Sequence, residues 1–398
     1  MEESYKLVVD KLEAFTASDF KDHDVERFRL LVAARKLISR LETPQERMIS
    51  IAYHETMVFA VLKTCIDIGL WDKWTAAGGG EKSLDELVKL TTKDCDINLL
   101  RRLLRLMGAE NIIEETGEDR YKPTPFSLSI GDESTLISQA LLSRTYHWDP
   151  CNINLPLFLA KTSYREPKDP KYTSYSDGTP EGLPFFDRNL SKPIYQETWS
   201  ALMREWGGFR VPWPKFYDTD TLVNGADPSS GAPLIVDIGG HHGVDLNLFL
   251  DKHPDVPAGS LVIQDLEGVV STVKLATDKI KLMAHSFFDE QPIHGSRAYF
   301  FHGIFHDWPD AEAIKILKNI APAMKRGYSK LLICDMVIPP TGATMYQTLL
   351  DVNMMACLSA CERTEAMWQK LMSEAGFKIV KMSRDNRGHE AVIEAELA

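Results

Sequence analysis

The last third of the chain alternates short apolar runs with helical stretches, and this alternation limits the possible folds more than any other feature. Seven runs of strand length occur there: PLIVDIG, LVIQDL, KLMAHSFF, AYFFHGIFH, KLLICDMVI, FKIVKMSR and HEAVIEAEL. Parallel strands read as continuous apolar runs because helices cover both faces of their sheet. The pattern predicts a doubly wound α/β sheet, whose ligands bind at the carboxyl ends of the strands.

The first run ends in a glycine-rich turn, VDIGGHHGVDL, which contains Gly239, Gly240 and Gly243. A dinucleotide fingerprint needs G-x-G-x-x-G, and here His241 and a valine occupy two of those glycine positions. The Lys and Ser or Thr of a P-loop are also missing. Asp265 ends the second run, 22 residues beyond Gly243, where it could accept hydrogen bonds from ribose hydroxyls. These features fit a nucleoside ligand without a diphosphate.

The N-terminal residues are predicted to be helical. Apolar residues at helical spacing indicate two helices over 1–42, separated by a charged segment. Thr43 and Glu46 form a capping box, and Pro44 suits the first helical position. The long apolar stretch that follows predicts a buried helix or helix pair.

Residues 83–130 have the order of elements of a winged helix: a short helix, a longer helix and a hairpin, with Ser83 and Asp96 as N-caps. Such a domain either binds DNA or serves dimerisation and walls a substrate site. The chain has 45 basic and 57 acidic residues, a net charge of −12. Nucleic-acid binding needs a basic footprint, so we expect no nucleic-acid partner.

The remaining composition argues for a cytoplasmic protein without metal. The N-terminus MEESYKLVVDKLEAF lacks the basic start and apolar core of a signal peptide. No window approaches about eighteen uninterrupted apolar residues, so we expect no membrane partner. The six cysteines are scattered, with no C-x-x-C pair and no His partner at zinc-finger spacing.

Residues 131–230 combine helical pieces with a Pro/Tyr/Ser-rich segment and many aromatic side chains. Such rings either line a pocket for a flat apolar ligand or pack in an inter-domain core. The sequence therefore divides into an N-terminal domain, 1–130, an aromatic-rich substrate-wall region, 131–230, and an α/β domain, 231–398.

Five motifs of the α/β domain form a recognisable set: DIGGHHG (237–243), IQDLEGVV (263–270), FHDWPD (305–310), LICDMVIPP (332–340) and CERTEAMWQKLMSEAGF (361–377). Together they resemble the S-adenosylmethionine-dependent O-methyltransferases of plants and fungi. The resemblance implies a Rossmann-like sheet of seven strands, the last antiparallel, with an N-terminal winged-helix dimerisation domain. It also implies S-adenosylmethionine as cofactor, a small-molecule substrate and a homodimer.

The same resemblance implies that His306 is the general base, flanked by Asp335 and Glu362. A hydroxyl must lose its proton as it attacks the sulfonium methyl, and imidazole, with a pKa of about 6.5, can accept that proton. The carboxylates would fix the tautomer of the ring and stabilise the imidazolium. The neighbouring Asp307 and Asp310 are expected to cap the following helix.

The cofactor is expected to contact the glycine turn and the ends of the next strands, at Asp237, Gly239, Gly240, His241, Gly243, Asp265, Leu266, Ser286, Phe287 and His302. Three of these positions depart from the family's pattern. His241 replaces a glycine, Ser286 replaces an acid often seen near the adenine, and His302 replaces a Lys or Arg.

These departures leave a second enzyme class open. Some fungal proteins similar to this family bind S-adenosylmethionine without transferring its methyl, and instead catalyse dehydration or pericyclic ring closure of polyketide-derived pyridones. In that case the sulfonium is a fixed positive charge, and His306 or His147 polarises an oxygen or removes a proton. The favoured interpretation is an O-methyltransferase that acts on a hydroxyl of a small aromatic or polyketide-type secondary metabolite. The expected substrate pocket comprises His147, Phe186, Met203, Trp206, Asn353 and Met354.

Overall fold

A computed structural model describes residues 2–398, with side chains from Lys6 onward, so the first residues used for the localisation prediction lie outside this description. The chain divides into two compact units, Met1–Leu142 and Ser143–Ala398. Most of the predicted substrate-wall region, 131–230, belongs to the second unit.

The first unit is largely helical. Its helices α1 to α9 are Glu2–Ala14, Asp24–Leu41, Pro44–Ile49, Glu55–Asp67, Leu70–Ala76, Leu84–Leu90, Ile97–Ala109, Pro125–Ile130 and Ile137–Ser143. A small antiparallel sheet of order β1-β3-β2 is formed by β1 (Lys82–Ser83), β2 (Ile113–Gly117) and β3 (Arg120–Pro123). Helices α6 and α7 followed by the β2–β3 hairpin have the order that the winged-helix interpretation requires.

Side-chain caps begin several of these helices where the sequence predicts them. The hydroxyl of Thr43 accepts the backbone N–H of Glu46, and a turn of π-helix, Ser50–His54, joins α3 to α4. Ser83 caps α6 in the same way, and Asp96 accepts two backbone N–H groups at the start of α7. The predicted N-caps Thr43, Ser83 and Asp96 are confirmed, and each bond joins residues within one turn of the helix.

The prediction of a buried helix after Thr43 is wrong for most of its length. Ile51 and Tyr53 are 74% and 67% exposed, and the buried residues of this stretch begin at Val61. By length and composition alone the stretch Pro44–Asp67 could cross a membrane, with 17% of its apolar window buried. The apolar composition of this stretch indicates that it packs against another surface. The described residues of the first unit do not bury most of it.

The second unit is built on one large sheet. Its strands β4 to β11 are Ile235–Ile238, Leu261–Asp265, Ile280–Ala284, Ala298–His302, Lys330–Ile338, Arg363–Thr364, Phe377–Arg384 and Glu390–Leu397. The strand order is β10-β11-β8-β7-β4-β5-β6, and the short β9 pairs with β8 off this path. Strands β4 to β8 are parallel, while β11 runs antiparallel between β8 and β10. The predicted seven-stranded sheet with an antiparallel last strand is confirmed.

Helices accompany this sheet along the chain. They are α10 to α19: Asp149–Lys161, Ser174–Gly178, Phe185–Ser191, Pro193–Phe209, Asp220–Asn224, Val244–Lys252, Glu267–Val270, Asp310–Ile320, Met345–Leu358 and Glu365–Glu374. Every residue of β4 is buried. Val236 and Ile238 belong to one apolar cluster, whereas Ile235 belongs to another. Because successive side chains of a strand point to opposite faces, both faces of β4 are covered, which explains its unbroken apolar sequence.

Candidate active site

The glycine turn after β4 lies where the strand order reverses, between β5 and β7, which is the usual ligand position in such sheets. Gly239 and Gly243 have φ values of +77° and +75°, a left-handed region that favours glycine. A Cβ on Gly240 would lie 2.5 Å from Oδ2 of Asp237. The turn therefore needs its glycines and leaves bare backbone at the ligand position.

The acid at the end of β5 is tied to this turn. Oδ2 of Asp265 accepts the backbone N–H of His241 at 3.0 Å, and Oδ1 accepts that of Leu266 at 2.8 Å. His241 has a φ of +47° at the position where the family pattern has glycine, and its side chain is exposed. Leu266 is also exposed. The carboxylate is thus held in place, with lone pairs left for a ligand.

The loop after β6 lies beside the same acid, because the backbone N–H of His285 donates to the carbonyl of Asp265 at 2.9 Å. Ser286 follows, and its Oγ accepts the backbone N–H of Phe288. The half-buried ring of Phe287 packs edge-on to Trp308, with centroids 6.0 Å apart. The sequence-predicted cofactor residues of β5 and of the β6 loop are therefore brought together.

A buried charged group lies on the other side of the turn. Nδ1 of His302, at the end of β7, is 2.9 Å from Oδ2 of Asp245, and Nε2 is 3.5 Å from Oε1 of Glu390. Asp237 is buried, and no hydrogen-bond partner among the described residues reaches its Oδ2. Burial and the nearby Asp245 raise the pKa of Asp237 well above its usual range.

His306 follows β7 in a short turn of 3-10 helix and meets the two acids predicted to flank it. Nδ1 of the ring lies 2.8 Å from Oε1 of Glu362. One nitrogen of the ring and one carboxylate oxygen each from Asp335 and Glu362 lie within 4.8 Å of one another. Since Nδ1 donates to Glu362, Nε2 is the ring nitrogen left to accept a proton.

Arg363 holds this arrangement together. Its buried guanidinium donates to the carbonyls of Phe305 and Trp308 at 2.6 and 2.8 Å, on both sides of His306. It also pairs with Asp310 at 2.8 Å. Because Arg363 is the residue after Glu362, the same interaction that fastens the His306 turn brings Glu362 to the imidazole.

The expectation that Asp307 and Asp310 cap helix α17 is wrong. The N-cap is Pro309, and no side chain bonds to the N-terminal N–H groups. Asp310 is used by Arg363 instead, and Oδ1 of Asp307 lies 3.5 Å from Nε2 of His306. Asp310 bonds to a residue 53 positions away, and Asp307 lies beside the ring of its chain neighbour, so the base has a third carboxylate beside it.

The acids change the protonation of the site. Burial alone lowers the pKa of His306, but the charges of Glu362 and Asp307, the hydrogen bond to Glu362 and the charge of Asp335 raise it to about 10. Burial raises the pKa of Asp335 to about 7 and that of Asp307 to about 6, although the His306 imidazolium opposes both increases. At neutral pH the ring is therefore an imidazolium paired with Glu362.

Two groups of described residues have the ligand types and spacing of a metal site. They are His306 with Asp335 and Glu362, and His302 with Cys334 and Glu390. Both histidines already lie next to carboxylates, which raise their pKa values despite burial. A cation would have to displace the ring proton in either place, so an enzyme without metal stays our prediction.

The expected substrate residues have different environments in the second unit. Phe186 is half-exposed and stacks on Trp308 at 6.0 Å, and Trp206 packs on Tyr346 at 5.3 Å. Met203 and Asn353 are half-buried. Met354 belongs to a buried apolar cluster, where its environment is that of a core residue.

His147 has both ring nitrogens engaged. Nδ1 lies 2.9 Å from the hydroxyl of Tyr175 and Nε2 lies 3.2 Å from the carbonyl of Tyr195. Burial lowers the pKa of His147 to about 4, so the ring is neutral. Arg188 donates to the same Tyr175 hydroxyl at 2.8 Å. The residue fits a structural network better than a proton-transfer role.

Sequence reasoning missed the charged residues Arg210, Asp245 and Glu390. Arg210 follows helix α13, and its Nε lies 3.2 Å from Oε1 of Glu390. The local sequence does not distinguish these three residues from charged residues exposed to solvent, because their partners are 57 or more positions away. The one signal available in the sequence is that Glu390 is an acid within a mainly apolar run of strand length, HEAVIEAEL.

Comparison with known proteins identifies O-methyltransferases as relatives. Residues 218–378 match the protein family described as an O-methyltransferase domain. O-methyltransferase ATR12 of Stachybotrys chlorohalonatus is 45% identical over 397 residues, 100% of both chains. Demethylsterigmatocystin 6-O-methyltransferase of Aspergillus parasiticus is 31% identical, covering 84% of both chains.

Solved structures show the same fold. LepI in complex with S-adenosylmethionine aligns with a TM-score of 0.87 and 25% identity, covering 100% of this chain and 98% of that one. A structure described as a pericyclic reaction enzyme aligns equally well and covers 99% of that chain. OxaC in complex with sinefungin and meleagrin, at 24% identity and a TM-score of 0.78, covers 100% of this chain and 98% of its own and supports the fold alone.

The cofactor is S-adenosylmethionine, as predicted, and the residues present fit it. The carboxylate of Asp265 can accept ribose hydroxyls, and Phe287 offers a ring beside it. A Cβ on Gly240 would collide with Asp237, so the backbone of the turn stays bare. The unpartnered buried oxygen of Asp237 is an acceptor suited to the ammonium of the cofactor's amino-acid end.

Proposed function

The chain belongs to the O-methyltransferase family, and from this premise we propose that it transfers the methyl group of S-adenosylmethionine to a hydroxyl of a small aromatic or polyketide-type secondary metabolite. The observation that carries the proposal is the contact between His306 and Glu362, 2.8 Å, which leaves Nε2 as a base. When bound, S-adenosylmethionine would supply a methyl group on a positively charged sulfur, and neutral S-adenosylhomocysteine would be the leaving group with the electron pair of the broken S–CH3 bond.

His306 removes the proton from the attacking hydroxyl. In its neutral form, Nε2 accepts the proton of the hydroxyl while Nδ1–H stays bonded to Glu362. The oxygen lone pair then forms the new O–CH3 bond. The neighbouring carboxylates raise the pKa of His306 to about 10. The neutral ring is therefore a stronger base for the hydroxyl proton than a free imidazole.

Asp335 and Asp307 support the proton transfer in a different way. Both lie close to the ring, and their negative charge stabilises the imidazolium that forms. Arg363 keeps the His306 turn in place, so the base does not have to reorganise when the substrate arrives. These residues position and stabilise, and His306 alone exchanges the proton.

We keep the S-adenosylmethionine-dependent cyclase as the second candidate because the pericyclic reaction enzyme aligns over 100% of this chain with a TM-score of 0.87. In the cyclase, His306 or His147 would polarise an oxygen or remove a proton. His147, the other histidine considered for that chemistry, is buried and has both nitrogens bonded. His306 is thus the histidine available for either chemistry, and the O-methyltransferase relatives, 45% and 31% identical, favour methyl transfer.

The test is deletion of the gene in its host, with metabolites compared by accurate mass. We expect a compound to accumulate that is the lost product minus one methylene unit. Purified protein should convert that compound with S-adenosylmethionine and release one S-adenosylhomocysteine per product. Accumulation of an isomer or a hydrated precursor, with no S-adenosylhomocysteine released, would replace this proposal with the cyclase.

We also propose that the protein is a homodimer. The first unit exposes apolar residues of α2, of α3 and α4 and of the turn between them, among them Leu41, Ile51, Tyr53 and Met57. A second copy of the chain is the simplest cover for these helices, since a contiguous exposed apolar surface marks an association site.

A further inference from the structure

A guanidinium group lies beside the base, outside the residues considered so far for the substrate. Arg210 follows α13 as its C-cap residue, and it is largely buried, with 22% of its side chain exposed. Its Nε is buried, and no described residue offers it a hydrogen bond of good geometry. Glu390 is its ion-pair partner, at 3.2 Å. A buried cation with so few protein acceptors has donors to spare for a ligand.

Gly303 shows that Arg210 and His306 face the same point. Gly303 has a φ of +62° and lies between β7 and the His306 turn. A Cβ built on it would lie 3.3 Å from Nη2 of Arg210 and 3.6 Å from Nε2 of His306. A single methyl-sized group would therefore touch both the guanidinium and the nitrogen that accepts the proton. The two groups flank a common space that only glycine leaves open.

A chain of alternating charges holds Arg210 in this position. Asp245 pairs with His302 at 2.9 Å, His302 approaches Glu390 at 3.5 Å, and Glu390 pairs with Arg210. Burial raises the pKa of Glu390, but the positive charges of Arg210 and His302 lower it to about 2. Two acids balance two cations, so the network is neutral, and its guanidinium end lies next to His306.

Aromatic side chains pack beside Arg210. Phe209, Tyr346, Arg387, His389 and Glu390 are among the residues that line a cavity of about 10 Å³ with it, room for about one water molecule. The rings of Trp206 and Phe209 both pack against Tyr346, with centroids 5.3 Å apart in each case. A planar guanidinium binds two oxygens that lie in its own plane.

We propose that Arg210 is a substrate-binding residue that selects acceptors carrying an anionic oxygen group, a carboxylate or an enolate, next to the hydroxyl that is methylated. This inference rests on the proposed function, since it uses His306 as the base for that hydroxyl. The guanidinium takes the anionic oxygens through paired N–H donors, while Nε2 of His306 takes the proton of the neighbouring hydroxyl. The cation also stabilises the oxyanion as it forms.

Two matched chromophoric probes test the selection without methyl transfer. Absorbance titration of the full-length protein loaded with S-adenosylhomocysteine would compare 2-hydroxy-5-nitrobenzoate with 4-nitrophenol, which is the same phenol without the ortho carboxylate. We expect the carboxylate probe to bind about 10- to 100-fold more tightly, the range of a hydrogen bond to a charged group. Arg210→Met should abolish the preference, and Arg210→Lys should keep part of it.

Controls separate charge from folding. Lys370→Met removes a positive charge from an exposed site, as Arg210→Met removes one from a buried site, and this variant should keep the wild-type preference. If Arg210→Met fails to fold, Arg210→Met combined with Glu390→Gln keeps the network neutral and should also lose the preference. Equal binding of the two probes by wild type, or a preference that survives in a folded Arg210 variant, overturns the inference.

The outcomes also distinguish this inference from the proposed function. Methyl transfer to the host metabolite with no preference between the probes overturns the role of Arg210 alone. A preference that depends on Arg210, in a protein that releases no S-adenosylhomocysteine with its natural substrate, overturns the methyltransferase and supports anion binding by Arg210.

Discussion

Oε1 of Glu362 lies 2.8 Å from Nδ1 of His306, although 56 positions separate the two residues in the chain. The contact fixes which ring nitrogen can act as the base and supplies part of the charge that raises the pKa of the ring to about 10. The catalytic predictions below depend on this relationship.

Replacing His306 with Ala should reduce methyl transfer by about 10²- to 10⁴-fold, the contribution of a general base. Binding of S-adenosylmethionine, measured by calorimetry, should be unchanged because the glycine turn and Asp265 are untouched. His294→Ala, which removes an exposed histidine, is the matched control. Unaltered turnover in the His306 variant would refute the assignment of the base.

The pH dependence should follow the protonation of His306. Because its pKa is raised to about 10, the base form becomes more populated as the pH rises, and kcat/KM should increase from neutral to alkaline pH. Glu362→Gln removes a negative charge that stabilises the imidazolium, so the ring loses its proton at lower pH. The midpoint should move down by about one pH unit or more. An unchanged midpoint would show that another group limits the rate.

Gly240→Ala should weaken cofactor binding. The added Cβ would lie 2.5 Å from the carboxylate of Asp237, so the turn must shift at the ligand position. We expect a loss of about 10-fold or more in affinity, since displaced backbone donors and acceptors leave polar groups unpaired. Calorimetric titration with S-adenosylhomocysteine measures it. Gly80→Ala, where a Cβ meets nothing within 4 Å, should bind normally.

Arg188→Met should destabilise the second unit by about 3 kcal/mol, because it breaks a buried ion pair. Arg188 is buried and donates to Glu181, to the carbonyl of Tyr146 and to the hydroxyl of Tyr175 at 2.6–2.8 Å. Urea denaturation gives the change in the free energy of unfolding. Arg384→Met breaks an exposed pair and should cost at most about 1 kcal/mol. Equal losses in the two variants would contradict the structural role of Arg188.

The dimer is tested by sedimentation. Wild type should have the mass of two chains at micromolar concentration, and Ile51→Glu should shift the protein toward one chain, because a charge is placed in the proposed interface. Val380→Glu alters an exposed apolar residue of the second unit and should leave the mass unchanged. A wild-type monomer would remove the proposal, and co-flotation of wild type with lipid vesicles would assign the apolar helices to a membrane instead.

The sequence by itself determined the features that depend on neighbouring residues. Apolar runs determined the strands, because a strand covered on both faces must be apolar throughout, as Val236 and Ile235 show on β4. The turn at Gly239 and the caps at Thr43 and Ser83 are also local, since each involves residues within one turn of chain. The five motifs of the α/β domain, taken together, indicate the O-methyltransferase family without any tertiary contact.

Only the tertiary structure decided which distant side chains meet and which surfaces stay uncovered. Asp307 and Asp310 look like helix caps in the sequence, yet Asp310 pairs with Arg363, 53 positions away, and Asp307 lies beside the ring of its neighbour His306. The exposure of Ile51 and the position of Arg210 beside His306 are likewise absent from any local pattern. Hydrophobic periodicity records burial a few residues at a time, whereas an ion pair between strands depends on how the whole sheet packs.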